Sequence, residues 1–70
     1  MPIIRVEMWK GRTIEQKREL VKVLSEETAR ITGCGIDSIY VVIDEVNKEN
    51  WGASGKLCSE KYPDNTSDTE

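Results

Sequence analysis

Between Ile3 and Trp9 the chain alternates, with Ile4, Val6 and Met8 on one side and Arg5 and Glu7 on the other, the two-residue period of a half-buried β-strand. Lys10-Gly11-Arg12 ends that pattern. Thr13-Ile14-Glu15-Gln16 then fits a capping box, in which the Thr13 hydroxyl takes the third helical amide and the Gln16 side chain reaches back to the cap. Beyond it Ile14, Leu20, Val21, Val23, Leu24, Thr28 and Ile31 fall within roughly half the circumference at about 100° per residue. One side of the helix is therefore predicted to pack, while Glu15, Arg18, Glu19, Lys22, Glu26, Glu27 and Arg30 form a solvated side. Gly33 and Gly35 end it, as glycine beyond a helix commonly does.

The next apolar stretch, Ile39-Tyr40-Val41-Val42-Ile43, does not alternate, and a continuous run of this length suits a central strand covered on both faces. Strand, helix and strand make a βαβ unit, predicted to be parallel with a right-handed crossover. A single helix covers one face of such a sheet, so copies of the chain are expected to cover the other. Asn50-Trp51-Gly52-Ala53-Ser54-Gly55 reads as a turn opening a short C-terminal hairpin that ends near Cys58. Its paired glycines resemble a phosphate loop only weakly, because the lysine and hydroxyl pair and the following helix are missing. The expected class is α/β: a βαβ protomer with a C-terminal β-hairpin.

Composition changes this picture at three points. A chain of 70 residues buries only about 60% of the surface its unfolded form exposes, and domains this small are usually held by disulfides, a metal or self-association. Two cysteines, Cys34 and Cys58, stand without a CxxC spacing, and there is no histidine, which argues against a zinc site. No apolar run approaches a signal core or a membrane span, and the chain opens without an Arg-rich or apolar leader. It reads as cytoplasmic, where isolated cysteines are more often small buried hydrophobes than a staple. The Asn65-Thr66-Ser67 sequon is then without consequence. Self-association is left as the expected aid.

The net charge of −3 is misleading as a whole-chain figure: three of the 13 acidic residues, Asp64, Asp68 and Glu70, lie in the tail, and the other ten balance the 10 basic ones. No basic stripe interleaved with aromatics suggests nucleic acid. Residues 63–70 carry no apolar anchor and are expected to be disordered, leaving residues 2–62 as a single domain.

Candidate chemistry is sparse. Without histidine there is no conventional triad, neither cysteine has an activating partner, and Asp44 and Glu45 are adjacent in a strand and so face opposite sides. Pro2 is different in kind. Removal of Met1 would expose its nitrogen as a secondary amine, and an α-amino group near cations or in an apolar pocket is neutral enough near pH 7 to act as a general base. Arg12 can supply a cation and a fork for a carboxylate. The residues alone leave two readings open: Pro2 at a strand edge and Arg12 in a solvated turn of a non-catalytic oligomeric domain, or both in an active site.

The order Pro2, Gly11-Arg12-Thr13, Glu15-Gln16-Lys17, then Ile39-Tyr40-Val41-Val42-Ile43-Asp44-Glu45, then Asn50-Trp51-Gly52 resembles the 4-oxalocrotonate tautomerase family over about residues 2–59. The resemblance implies βαβ protomers whose sheets join in dimers, commonly three dimers to a hexamer. It implies cofactor-free keto-enol tautomerisation of 2-hydroxy-dienoates and related 2-oxo acids, an isomerase reaction on small carboxylated substrates. Pro2 matches the family's general base, and Arg12 matches the arginine that binds a substrate carboxylate and draws electron density toward the far end of the dienolate. Trp51 matches an aromatic position lining the apolar pocket, a core tryptophan being the alternative. Trp9 stands where the family uses a backbone amide. Tyr40 occupies the place of a second arginine, and tyrosine can donate one hydrogen bond but cannot neutralise an anion. The related chloroacrylic acid dehalogenases add a carboxylate that activates water; the corresponding segment here is Gly52-Ala53-Ser54, making hydration or dehalogenation the weaker enzyme reading.

Overall fold

The computed structural model describes residues 1–62, so the expected disorder of residues 63–70 lies outside the described residues. In chain order they form β1 (Ile3–Trp9), α1 (Ile14–Thr32), β2 (Tyr40–Val46), β3 (Gly52–Ala53), β4 (Lys56–Leu57) and a single-turn α2 (Cys58–Lys61), with 3₁₀ turns at Ile36–Ser38 and Lys48–Asn50. β1 and β2 are parallel in continuous register, from Ile3 opposite Tyr40 to Trp9 opposite Val46. β3 and β4 form a separate antiparallel hairpin.

Each boundary has a local cause. The Gln16 amide donates to Thr13 Oγ1 at 3.1 Å and the Thr13 amide to Gln16 Oε1 at 2.9 Å, completing the expected capping box. At the other end Gly33 takes the left-handed conformation (φ 79°) and its amide returns to the Ala29 carbonyl, the geometry that lets a helix stop within one residue. Ser54 and Gly55 both have positive φ (57° and 78°), as a two-residue type I′ turn between short strands requires. A hairpin forms in this region as expected, but β3 at Gly52–Ala53 begins inside the stretch 50–55 expected as its opening turn, and Cys58 starts a helical turn.

The strand expected at residues 39–43 is displaced. Ile39 caps the 3₁₀ turn and is buried at 8% exposure, while β2 runs on through Asp44 and Glu45 to Val46. The two acidic side chains do face opposite sides: Asp44 pairs with Arg5 and Glu45 with Lys17 of α1, each at 2.7 Å. The helix therefore covers the face that carries Ile4, Val6, Met8, Val41, Ile43 and Glu45. The other face, with Ile3, Tyr40 and Val42, is uncovered in the protomer.

This leaves little core. Among the described residues only Ile39 and Cys58 are buried hydrophobics. Leu20, Val21, Leu24 and Thr28 are half-buried on the expected side of α1, but Ile14, Val23 and Ile31 are 60%, 41% and 70% exposed. A helix of 19 residues is roughly 28 Å long and overruns a seven-residue strand of about 23 Å at both ends. Ile14 and Ile31 lie at those ends; Val23 lies on the flank of the stripe, beyond the reach of a sheet two strands wide. Cys58 is buried as expected, whereas Cys34 is only half-buried; both are free thiols.

Candidate active site

Pro2 sits immediately ahead of β1 and is half-buried. Its carbonyl accepts a 3.1 Å hydrogen bond from the Tyr40 amide, which carries the parallel ladder one residue beyond Ile3. Proline has no amide hydrogen to contribute, so the ladder engages its carbonyl and leaves its nitrogen outside. Met1, the residue in front, is 79% exposed. Tyr40 is 54% exposed at the head of β2, on the uncovered sheet face. Two of the five candidate residues are thus brought together at the N-terminal ends of the parallel strands.

The other three stand at the opposite end. Arg12 follows Gly11, whose φ of 129° lies where glycine is favoured, in the turn from β1 into α1. Its side chain lines a cavity of about 290 Å³ with Met8, Gln16, Lys17 and Leu20. Trp9, the last residue of β1, makes an edge-to-face contact with Trp51, ring centroids 6.1 Å apart, and a tilted contact with Tyr62 at 5.5 Å. Trp51 also lines a second cleft, of about 300 Å³, with Glu7, Val46, Asn50 and Gly52. β1 is seven residues long, so Pro2 and the Arg12 turn are separated by roughly 23 Å of strand.

Three features at this end were not anticipated from the sequence. Lys48 is buried at 8% exposure; its Nζ lies 4.9 Å from the centre of the Trp9 ring and donates to the Tyr62 carbonyl at 2.9 Å. Burying an ammonium is tolerable when a carbonyl and a ring face receive it. In the sequence Lys48 sits in the polar run Asn47-Lys48-Glu49-Asn50, which carries no signal of burial. The Trp9 indole nitrogen is itself buried with no hydrogen-bond partner among the described residues. Trp9 is consequently more than a bearer of a backbone amide: it is the centre of an aromatic cluster that seats the C-terminal turn.

Glu45 is the third feature. Its carboxylate is held below the ordinary range first by the hydrogen bond from Lys17, with desolvation opposing, and further by Lys17's charge and the Gly11 backbone amide. On the other sheet face Asp44 raises Arg5 by hydrogen bond and by charge. Among the described residues no three His, Cys, Asp or Glu side chains cluster as a metal site requires, and no helix is long and apolar enough to cross a membrane.

Known proteins share this fold. The tautomerase enzyme family model matches residues 2–61. A 2-hydroxymuconate tautomerase from Bacillus subtilis (strain 168) is 40% identical over 60 residues, 86% of this chain and 97% of the relative. A solved 4-oxalocrotonate tautomerase homologue superposes with a TM-score of 0.83 at 37% identity, over 86% of this chain and 95% of its own. A heterohexameric 4-oxalocrotonate tautomerase from Chloroflexus aurantiacus J-10-fl superposes with a TM-score of 0.81 at 32% identity, over 86% and 97%. With strand order, helix and hairpin in common over nearly the whole length of these relatives, the chain belongs to the tautomerase family and is an enzyme of the tautomerase type, an isomerase.

Proposed function

We propose that the protein catalyses keto-enol tautomerisation of small 2-hydroxy-dienoates or 2-oxo acids, with the Pro2 amine, freed by removal of Met1, as general base. The observation that carries this reading is the way Pro2 is held: its carbonyl is fixed by the Tyr40 amide at 3.1 Å, while its nitrogen has no role in the sheet. The exposure of Met1 supports its removal. Pro2 takes the proton of the 2-hydroxyl and returns it to carbon at the far end of the conjugated system. No net charge or redox change results, and the neutral secondary amine is regenerated.

Arg12 grips the substrate carboxylate and draws electron density along the dienolate, Tyr40 donates to the 2-oxygen, and Trp51 contributes an apolar wall that favours the uncharged amine. Trp9 supplies its backbone amide and supports Trp51 from behind. Because Pro2 and Arg12 stand at opposite ends of β1, one site combines Pro2 of one copy with Arg12 of another. Residues 2–62 act as the single folded unit, and a homohexamer built as a trimer of dimers is the proposed assembly. The uncovered sheet face, the exposed Ile14, Val23 and Ile31 and the hexameric relative support it. Enol-to-keto conversion of 2-hydroxymuconate and phenylenolpyruvate by protein shown by intact mass to begin at Pro2 tests the reading; no conversion of either would sink it.

A further inference from the structure

We propose that Lys48 is a positioning residue for Trp51, its buried ammonium locking the aromatic pair to which Trp51 belongs. The inference rests on the reading that Trp51 forms the apolar wall beside the Pro2 amine. Lys48 holds Trp51 in two ways. Through the backbone, its carbonyl accepts the Trp51 amide at 3.2 Å, closing the 3₁₀ turn Lys48–Asn50. Through the side chain, its Nζ lies 4.9 Å from the centre of the Trp9 ring, and that ring meets Trp51 edge to face with centroids 6.1 Å apart.

The ammonium is itself fixed. It donates to the Tyr62 carbonyl at 2.9 Å, and the Tyr62 ring packs on Trp9 at 5.5 Å. The circuit closes through the Cys58 amide, which donates to the Trp51 carbonyl at 2.7 Å, and the Tyr62 amide, which donates to the Cys58 carbonyl at 2.8 Å. A desolvated cation is drawn to an aromatic face, so the ammonium sets where Trp9 lies and Trp9 sets the edge that Trp51 meets. Lys61 cannot substitute, since its Nζ lies over the Tyr62 ring at 5.5 Å. An apolar side chain of similar length would fill the space without the cost of burying a charge; what the ammonium adds is a fixed geometry. Trp51 lines its cleft with Glu7, Val46, Asn50 and Gly52, so a shifted ring admits water to a wall whose apolar character keeps an amine uncharged.

The test is a double-mutant cycle of Lys48→Met and Trp51→Ala in the full chain beginning at Pro2. It is read as kcat/KM for phenylenolpyruvate against pH, with assembly checked by light scattering. In the parent, Lys48→Met is expected to lower kcat/KM roughly tenfold and to move its acid limb to higher pH. In the Trp51→Ala background it should change kcat/KM by less than about twofold, as coupled neighbours do. An equal loss in both backgrounds, a loss with an unmoved acid limb, or no loss while Trp51→Ala is impaired overturns the positioning role alone. A Trp51→Ala protein with unchanged kcat/KM and acid limb overturns the reading of Trp51 as the wall, and the inference with it. Should Lys48→Met fail to assemble, Lys48→Gln takes its place in the cycle; it also removes the cation while keeping a donor toward Tyr62, and the same pattern is expected and the same results overturn it. Failure of both variants to assemble makes Lys48 a structural residue and overturns the proposal.

Discussion

The Tyr40 amide donates a 3.1 Å hydrogen bond to the Pro2 carbonyl, coupling the residue that leads into β1 to the first residue of β2. A proline at a chain start would otherwise fray with the terminus. Here its backbone is held by the sheet, and the phenol of Tyr40 starts from the neighbouring strand at the same level.

Activity should require the imino group of Pro2. Pro2→Ala supplies a primary amine of different basicity and greater freedom, and loss of a positioned general base typically costs about 10²- to 10⁴-fold. Protein retaining Met1 has an amide at that nitrogen and should be equally impaired. Kinetics beside intact-mass analysis decide this; full activity in either form would assign the base elsewhere.

Specificity should follow Tyr40. A hydrogen bond to a charged group contributes about 1.5 to 3 kcal/mol where a neutral one contributes about 0.5 to 1.5, so a doubly anionic substrate loses most from having tyrosine in place of arginine. Tyr40→Arg is expected to raise kcat/KM for 2-hydroxymuconate more than for phenylenolpyruvate. Equal effects on the two would place Tyr40 outside the site.

Assembly should be inseparable from folding. With Ile39 and Cys58 as the buried hydrophobics of the described protomer, a stable folded monomer at micromolar concentration in light scattering would contradict the proposed hexamer. Val42→Glu, on the uncovered sheet face, is expected to lower both the assembly size and the melting temperature.

Two local changes should act on the stability of α1. Thr13→Ala removes the side-chain acceptor of the capping box, at a cost of about 1 kcal/mol. Gly33→Ala forces a Cβ into the left-handed conformation, at roughly 1 to 2 kcal/mol. A shifted denaturation midpoint with an unchanged slope is the expected result for each.

The pH dependence of stability has one assigned contribution. The folded-state pKa of Glu45 lies below its ordinary value of 4.5, chiefly through the Lys17 hydrogen bond. Its ionised form therefore stabilises the fold above that ordinary value, and the contribution is lost as pH falls through the lowered one. Unfolding followed between pH 6 and 3 should show a shallower decline for Glu45→Gln than for the parent; parallel curves would remove the assignment.

Elements were legible where a short-range cause acts. Alternation placed β1, Thr13 and Gln16 placed the start of α1, and Gly33 its end, each through backbone sterics or hydrogen bonds within a few residues. The apolar run 39–43 misplaced β2 by one residue at its start and three at its end, because Ile39 is buried by a turn, and Asp44 and Glu45 enter the strand through ion pairs with Arg5 and Lys17 that are distant in sequence. Nor could periodicity show that Ile14 and Ile31 overrun the sheet, which depends on the relative lengths of helix and strand.

The chain by itself determined the parallel βαβ order, the shortage of core that favours self-association and, through its resemblance to a family, the candidates Pro2, Arg12, Tyr40, Trp9 and Trp51. Tertiary structure decided their grouping. Parallel pairing sets Tyr40 beside Pro2, and the aromatic contact sets Trp51 beside Trp9 at the Arg12 end of a seven-residue strand, pairings that no spacing along the sequence expresses. It also brought the buried Lys48 ammonium against the Trp9 ring. A buried charge is tolerated only where partners from other elements converge on it, and that convergence exists only once the chain has folded.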